Sequence, residues 1–295
     1  MQFMEQQVRW LLAWMNEIEA TLALLGRERA PREDIAMPRR IWQEAMAALM
    51  RRPPYRRSTP VLSKLPGSLK DRAASFQRRP DVIAALHVLD WKLGIVDLRD
   101  VLSYQWNVAD LEALKGAEAV DPKDPDTLFS FCLPEPGNQM NAAARIDPDR
   151  MGITLSSRDP NLRIGAPAIT DVDLSRAPGG RGKEERFVGF PVHFGSPFIK
   201  VAEYNGRWLL CDGYHRSYAL LKRSIHKIPC VFIRARNLAE TGAERPAFVP
   251  REMLYGDRPP FVADFLDDSV TITVNRKANL KLARVIAAEF VVEVL

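Results

Sequence analysis

Apolar residues recur near the start of the chain at helical spacing. Met4, Val8, Leu11, Leu12, Met15, Ile18, Leu22 and Leu25 fall three or four apart, which predicts an amphipathic helix over residues 3–25, with Trp10 and Trp14 widening its buried face. Similar patterns predict helices over 38–51, 68–77, 80–93 and 97–116. Pro38 suits a first helical turn, Pro53-Pro54 stops that helix, and Gly94 separates the last two. Residues 52–67 form a proline-punctuated basic loop. The pair 80–93 and 97–106 has the outline of a helix-turn-helix, an outline shared by any two short helices joined through glycine.

The pattern then changes twice. Residues 117–186 are rich in Pro, Asp, Gly and Arg, and predict irregular chain with short strands near 151–155 and 168–174. From 187 onward the runs FVGFPVHF and FIKVAEY read as strands, and Asn205-Gly206 is a strong hairpin signal before a returning strand, RWLLCD. A helix, GYHRSYALLKRS, and a strand, IPCVFIRAR, follow. Residues 240–262 are proline-rich, TITVNR predicts a short strand, and 278–292 a final helix. The expectation is an α+β protein with a helical domain over 1–120, an irregular connecting region over 121–186 and a C-terminal domain over 187–295.

Composition narrows this picture. A chain of 295 residues, 46% hydrophobic, can bury a sizeable core, and 27% charged residues mark an ordinary globular protein. Cys132, Cys211 and Cys230 are odd in number and widely spaced, so a reducing cytoplasm is expected rather than a disulfide framework. No stretch has the apolar length of a signal peptide or membrane span. The net charge of +5 is uneven: residues 27–79 hold 14 Lys/Arg against 5 Asp/Glu, or +9. That segment reads either as a nucleic-acid contact or as a solvated, arginine-rich connector.

Candidate chemistry concentrates at Asp212-Gly213-Tyr214-His215-Arg216. The strand Trp208–Cys211 delivers Asp212 and Gly213 to a sheet end, and Gly213 lets the backbone turn sharply toward a ligand. The following helix offers unpaired N–H groups and a positive dipole end. His215 and Arg216 sit in its first turn, where cations are unfavourable unless something negative binds. Arg216 can grip two phosphate oxygens. Asp212 can hold Mg²⁺, accept a proton, or simply cap the helix. His193, His215, Cys211 and Cys230 match no usual zinc spacing, His87 reads as a packed or half-exposed residue, and Asp267-Asp268 reads as a metal carboxylate pair or an exposed loop.

The stretch Tyr204–Ile233 resembles the core of the ParB/sulfiredoxin-like superfamily through Gly213-x-x-Arg216, the packing residue Ala219 and the Ile228-Pro229 strand start. The resemblance covers about residues 187–235, and implies a small bacterial α/β domain whose turn cradles the phosphates of ATP or CTP. Sulfiredoxins carry Gly-Cys-His-Arg, whereas Tyr214 stands at the cysteine position here, which speaks against sulfinic acid repair. Partition proteins carry Gly-Glu-Arg-Arg and a helical DNA-reading domain behind it, for which the sequence after 235 gives no sign. The free serine kinases' Asp-Gly-His-x-Arg is closer. The resemblance therefore implies a nucleotide-binding protein that hydrolyses or transfers phosphate, with Gly213, Tyr214, His215, Arg216 and Ser217 around the nucleotide. Asp212, His215 and Glu203 are the catalytic candidates, Glu184 and Glu185 further acids, and Asp212 the Mg²⁺ ligand. The alternative is a non-catalytic, nucleotide-dependent switch that binds DNA or protein, the +9 segment making the contact.

Overall fold

A computed structural model describes residues 5–26, 35–55, 60–109, 111–135, 142–147, 152–157, 162–164, 168–171, 186–190, 192–194, 198–244, 247–277 and 281–288. The chain begins with strand β1 (Glu5–Trp10), then α1 (Glu17–Leu25), α2 (Ala36–Arg51), α3 (Lys70–Gln77) and α4 (Pro80–Leu86). Next come β2 (Asp90–Asp97), β3 (Leu102–Ser103), β4 (Asn107–Ala109), α5 (Leu111–Glu118) and α6 (Pro125–Cys132). Short strands follow: β5 (Ala143–Asp147), β6 (Gly152–Ser157), β7 (Leu162–Ile164), β8 (Ala168–Asp171), β9 (Arg186–Gly189) and β10 (Val192–Phe194). The chain continues with β11 (Lys200–Tyr204), β12 (Arg207–Asp212), α7 (Tyr214–Lys222), β13 (Lys227–Arg234), α8 (Leu238–Thr241), α9 (Arg251–Leu254), β14 (Ile272–Lys277) and β15 (Lys281–Ile286). This is a mixed α+β protein, with strands interspersed among the helices of its N-terminal half.

Two compact units are built from discontinuous chain: residues 1–136 with 197–278, and residues 137–196 with 279–295. In the first unit a five-stranded mixed sheet has the order β2-β13-β11-β12-β3. The β11–β12 hairpin and the parallel pair β11–β13 match the predicted hairpin, helix and strand. Both outer strands, β2 and β3, come from the half expected to be helical. A three-stranded sheet, β14-β1-β4, completes the unit. One core runs through it, from Leu11 and Leu12 to Phe198, Leu209, Leu210 and Phe265, each at most 1% exposed. The second unit holds the sheet β15-β6-β5 and the pairs β10-β7 and β8-β9.

Four predicted helices are corrected, each by pairing with distant chain. The 3–25 helix is a strand followed by a shorter helix: Val8 pairs with Val274 on one side and Ala109 on the other. Leu11, Leu12, Ala13, Trp14 and Met15 are all buried in succession, which no single helix face permits. Asn16 then starts α1 through a capping box with Glu19, donating and accepting at 3.1 and 2.9 Å. The 80–93 helix ends at Leu86, and after a turn residues 90–93 belong to β2, which pairs with β13 over its whole length. Gly94 lies within β2, where an added Cβ would meet Leu62 Cδ1 at 2.6 Å, so it is a strand glycine making room rather than a helix breaker. The 97–116 helix is replaced by β3, β4 and α5, so the helix-turn-helix outline does not form. Within the expected 278–292 helix, Lys281–Ile286 form strand β15, paired with β6. Among the described residues no helix is long and apolar enough to cross a membrane.

Candidate functional site

Strand β12 buries Trp208, Leu209 and Leu210 and brings Asp212 out at the sheet's end. The hairpin turn before it has positive φ at both Asn205 (52°) and Gly206 (73°), as the primed turn requires. Gly213 follows Asp212 with φ 89° and ψ 22°, a left-handed conformation. A Cβ there would also lie 2.6 Å from Ile199 Cγ1. Helix α7 starts immediately afterwards with no side chain capping its N-terminus. Its first-turn N–H groups have no partner inside the helix.

The side chains of the turn divide sharply. Asp212 does not cap α7: Oδ1 accepts the Gly213 N–H at 2.8 Å, and Oδ2 lies 3.5 Å from Lys200 Nζ on the neighbouring strand. Both partners are half-exposed. The Tyr214 phenol is buried, donates to the Leu210 carbonyl and accepts the Tyr104 N–H at 3.1 Å. Burial holds its pKa well above the usual phenol value. His215 Nδ1 accepts the Ala109 N–H at 2.9 Å and lies 3.0 Å from the Ala109 carbonyl. Burial lowers its pKa, with Arg216 adding to the effect and the Ala109 contact and Asp212 opposing it. Arg216 Nη1 donates to the Phe131 and Cys132 carbonyls at 2.8 and 3.3 Å. Ser217 is fully buried, and its Oγ has no hydrogen-bond partner among the described residues.

Other candidates lie elsewhere. Glu203 stands opposite Trp208, and its Oε1 accepts the Gly206 N–H at 3.3 Å, so it belongs to the hairpin turn. It is three residues from Lys200, about 10 Å along the strand. Glu184 and Glu185 lie outside the described residues. His193 belongs to β10 in the second unit. Cys132 and Cys211 are thiols pushed by burial to about 12, and Cys230 is also raised. Asp267 and Asp268 each hold an arginine, Arg52 at 2.6 Å and Arg9 at 2.5 Å. Among the described residues no three His, Cys, Asp or Glu side chains gather as a metal site.

The basic segment is partly paired where it is described. Arg39 meets Glu17 at 2.5 Å, Arg52 meets Asp264 at 2.7 Å, Arg72 meets Asp126 at 3.2 Å and Arg79 meets Asp81 at 2.7 Å. Arg27, Arg29, Arg32, Arg56 and Arg57 lie outside the described residues. Sequence reasoning missed Lys200 as the neighbour of Asp212. The hairpin signal at Asn205-Gly206 brings the two strands together, but plain alternation sets Lys200 opposite Cys211. A bulge between Lys200 and Val201 moves it opposite Asp212. No protein-family model, curated protein or solved structure matches this chain.

Proposed function

We propose that the start of α7 binds phosphate and that this is a ParB/sulfiredoxin-like nucleotide-binding protein taking ATP or CTP. The observation that carries the reading is the uncapped first turn of α7 behind a left-handed Gly213, with Lys200 beside Asp212 and Arg216 within that first turn. Backbone N–H groups at such a place bind anions without needing a side chain. The Asp212 carboxylate opposes an anion, and Lys200 offsets it from within the chain. Mg²⁺, when bound, would be held by Asp212 together with phosphate oxygens and would neutralise phosphate charge. It reaches Asp212 only in competition with Lys200.

Two uses of a bound nucleotide follow. In the first, the turn hydrolyses or transfers phosphate, Asp212 accepting a proton and His215 stabilising charge. In the second, the nucleotide is a switch for DNA or protein binding without chemistry. A specific observation favours the second: Tyr214, His215 and Arg216 are each bonded to backbone, and Glu203 sits at the far end of the hairpin. Asp212 is then the acid left at the turn.

Titration calorimetry with ATP, CTP and inorganic phosphate, in EDTA and in Mg²⁺, tests both. Binding is expected in EDTA. Asp212→Asn should bind metal-free nucleotide as well or more tightly, because repulsion is relieved, while any Mg²⁺-dependent turnover falls steeply. Absence of binding by all three anions would overturn the reading. Turnover that persists in Asp212→Asn would remove Asp212 from the chemistry.

A further inference from the structure

The first unit is built from residues 1–136 and 197–278, and within it the end of α6 is bonded to the chain before β11. Ile199 donates its N–H to the Cys132 carbonyl at 3.0 Å, and Leu133 donates to Phe129 at 2.8 Å. Cys132, Leu133, Phe198 and Ile199 are all buried. Two arginines hold these two stretches of the first unit. Arg79, fixed by Asp81, donates to the Pro134 carbonyl at 3.0 Å and lies 5.3 Å over the Phe198 ring, so it touches both. Arg216 donates to Phe131 and Cys132 at the end of α6, while Gly213, in the same turn, packs against Ile199 before β11.

The guanidinium of Arg216 therefore stands between two demands. It satisfies neutral carbonyls at the end of α6, yet it belongs to the helix whose first turn would receive an anion. Phosphate would offer the guanidinium a full negative charge and a bidentate geometry that two neutral carbonyls do not. We propose that an anion at α7 draws Arg216 off the Phe131 and Cys132 carbonyls and so loosens the end of α6 and the Phe198–Ile199 chain paired with it, with Arg79 limiting the release. This rests on the phosphate-binding reading and adds what that binding regulates.

Hydrogen exchange on the full chain, read at the Leu133 and Ile199 amides, tests it alongside calorimetry. Saturating ATP or CTP should speed exchange at both amides roughly five- to thirty-fold, as expected when one or two hydrogen bonds are lost. Arg216→Ala should show the same acceleration without nucleotide, and no further change with it. Should that variant fail to fold, Arg216→Lys gives the same comparison with the charge kept and the fork removed. Arg79→Ala should speed both amides while leaving nucleotide affinity unchanged. Nucleotide that binds without speeding exchange would overturn the coupling and leave the phosphate reading standing. Unchanged exchange in the Arg216 variants would overturn the clamp, and no binding at all would overturn the phosphate reading and the coupling together.

Discussion

Gly213 is fixed twice over, by its backbone angle and by the side chain beside it. A left-handed conformation costs an L-residue roughly 1–2 kcal/mol, and forcing a methyl into a packed site costs roughly 1–3 kcal/mol more. Gly213→Ala, with its Cβ 2.6 Å from Ile199, should therefore lose about 2–5 kcal/mol in urea unfolding. His215 offers a second measurement. Its folded pKa lies below the ordinary 6.5, so the unfolded chain binds the proton more readily. Stability is complete above that value and is lost as pH falls from 6.5 toward the lower folded pKa, below which the slope vanishes. His215→Asn, which offers an acceptor near the Nδ1 position, should flatten this acid-side loss in denaturation measured across pH. Arg216 was legible as a cation that needs a negative partner. What the sequence could not disclose is that the nearest partial negative charge belongs to another helix, since α6 lies more than 80 residues upstream.

Helix ends explain much of the arginine content. Arg276 donates to the Ala23 carbonyl in the last turn of α1, and Arg258 donates to Arg52 just past α2 at 2.9 Å. Arg223 reaches Ala117 and Val120 at the end of α5, Arg216 closes α6, and Arg207 takes the Leu254, Tyr255 and Gly256 carbonyls behind α9. Each places positive charge at the negative end of a dipole and satisfies carbonyls the helix leaves open. Arg223→Met should cost roughly 1.5–3 kcal/mol in urea unfolding, the range for hydrogen bonds to charged groups. Arg40→Ala, whose partner Glu44 is exposed, should stay within about 0.5 kcal/mol. Legibility divides along the same line between local and distant partners. Asn205-Gly206, Gly213 and Ile228-Pro229 announce β12, α7 and β13 because each signal acts on its own neighbours. β1, β2 and β15 take their form from strands far along the chain, and their apolar spacing alone suits a helix equally well.

At the scale of the whole molecule, the surplus charge of residues 27–79 is partly spent on internal pairs. Reversing Arg52 would test folding, since it holds both Asp264 and Asp267. Arg51, Lys64, Lys70 and Arg78 are exposed and serve better. If the switch reading includes nucleic acid, retention on DNA at low salt should fall steeply as salt rises and disappear when those four become Glu. Absence of retention by the wild type, even at low salt, would leave the segment a connector. The pairing of Glu5 with Lys277 and Val8 with Val274 reaches beyond equilibrium stability. A ribosome adds about 5–20 residues per second, so β1 waits on the order of tens of seconds before β14 has been made. Until then β1 has only β4 beside it, and its other edge is open to any passing strand. The strand β1 is thus completed only after β14 has been made, and until then its free edge depends on protection from its surroundings.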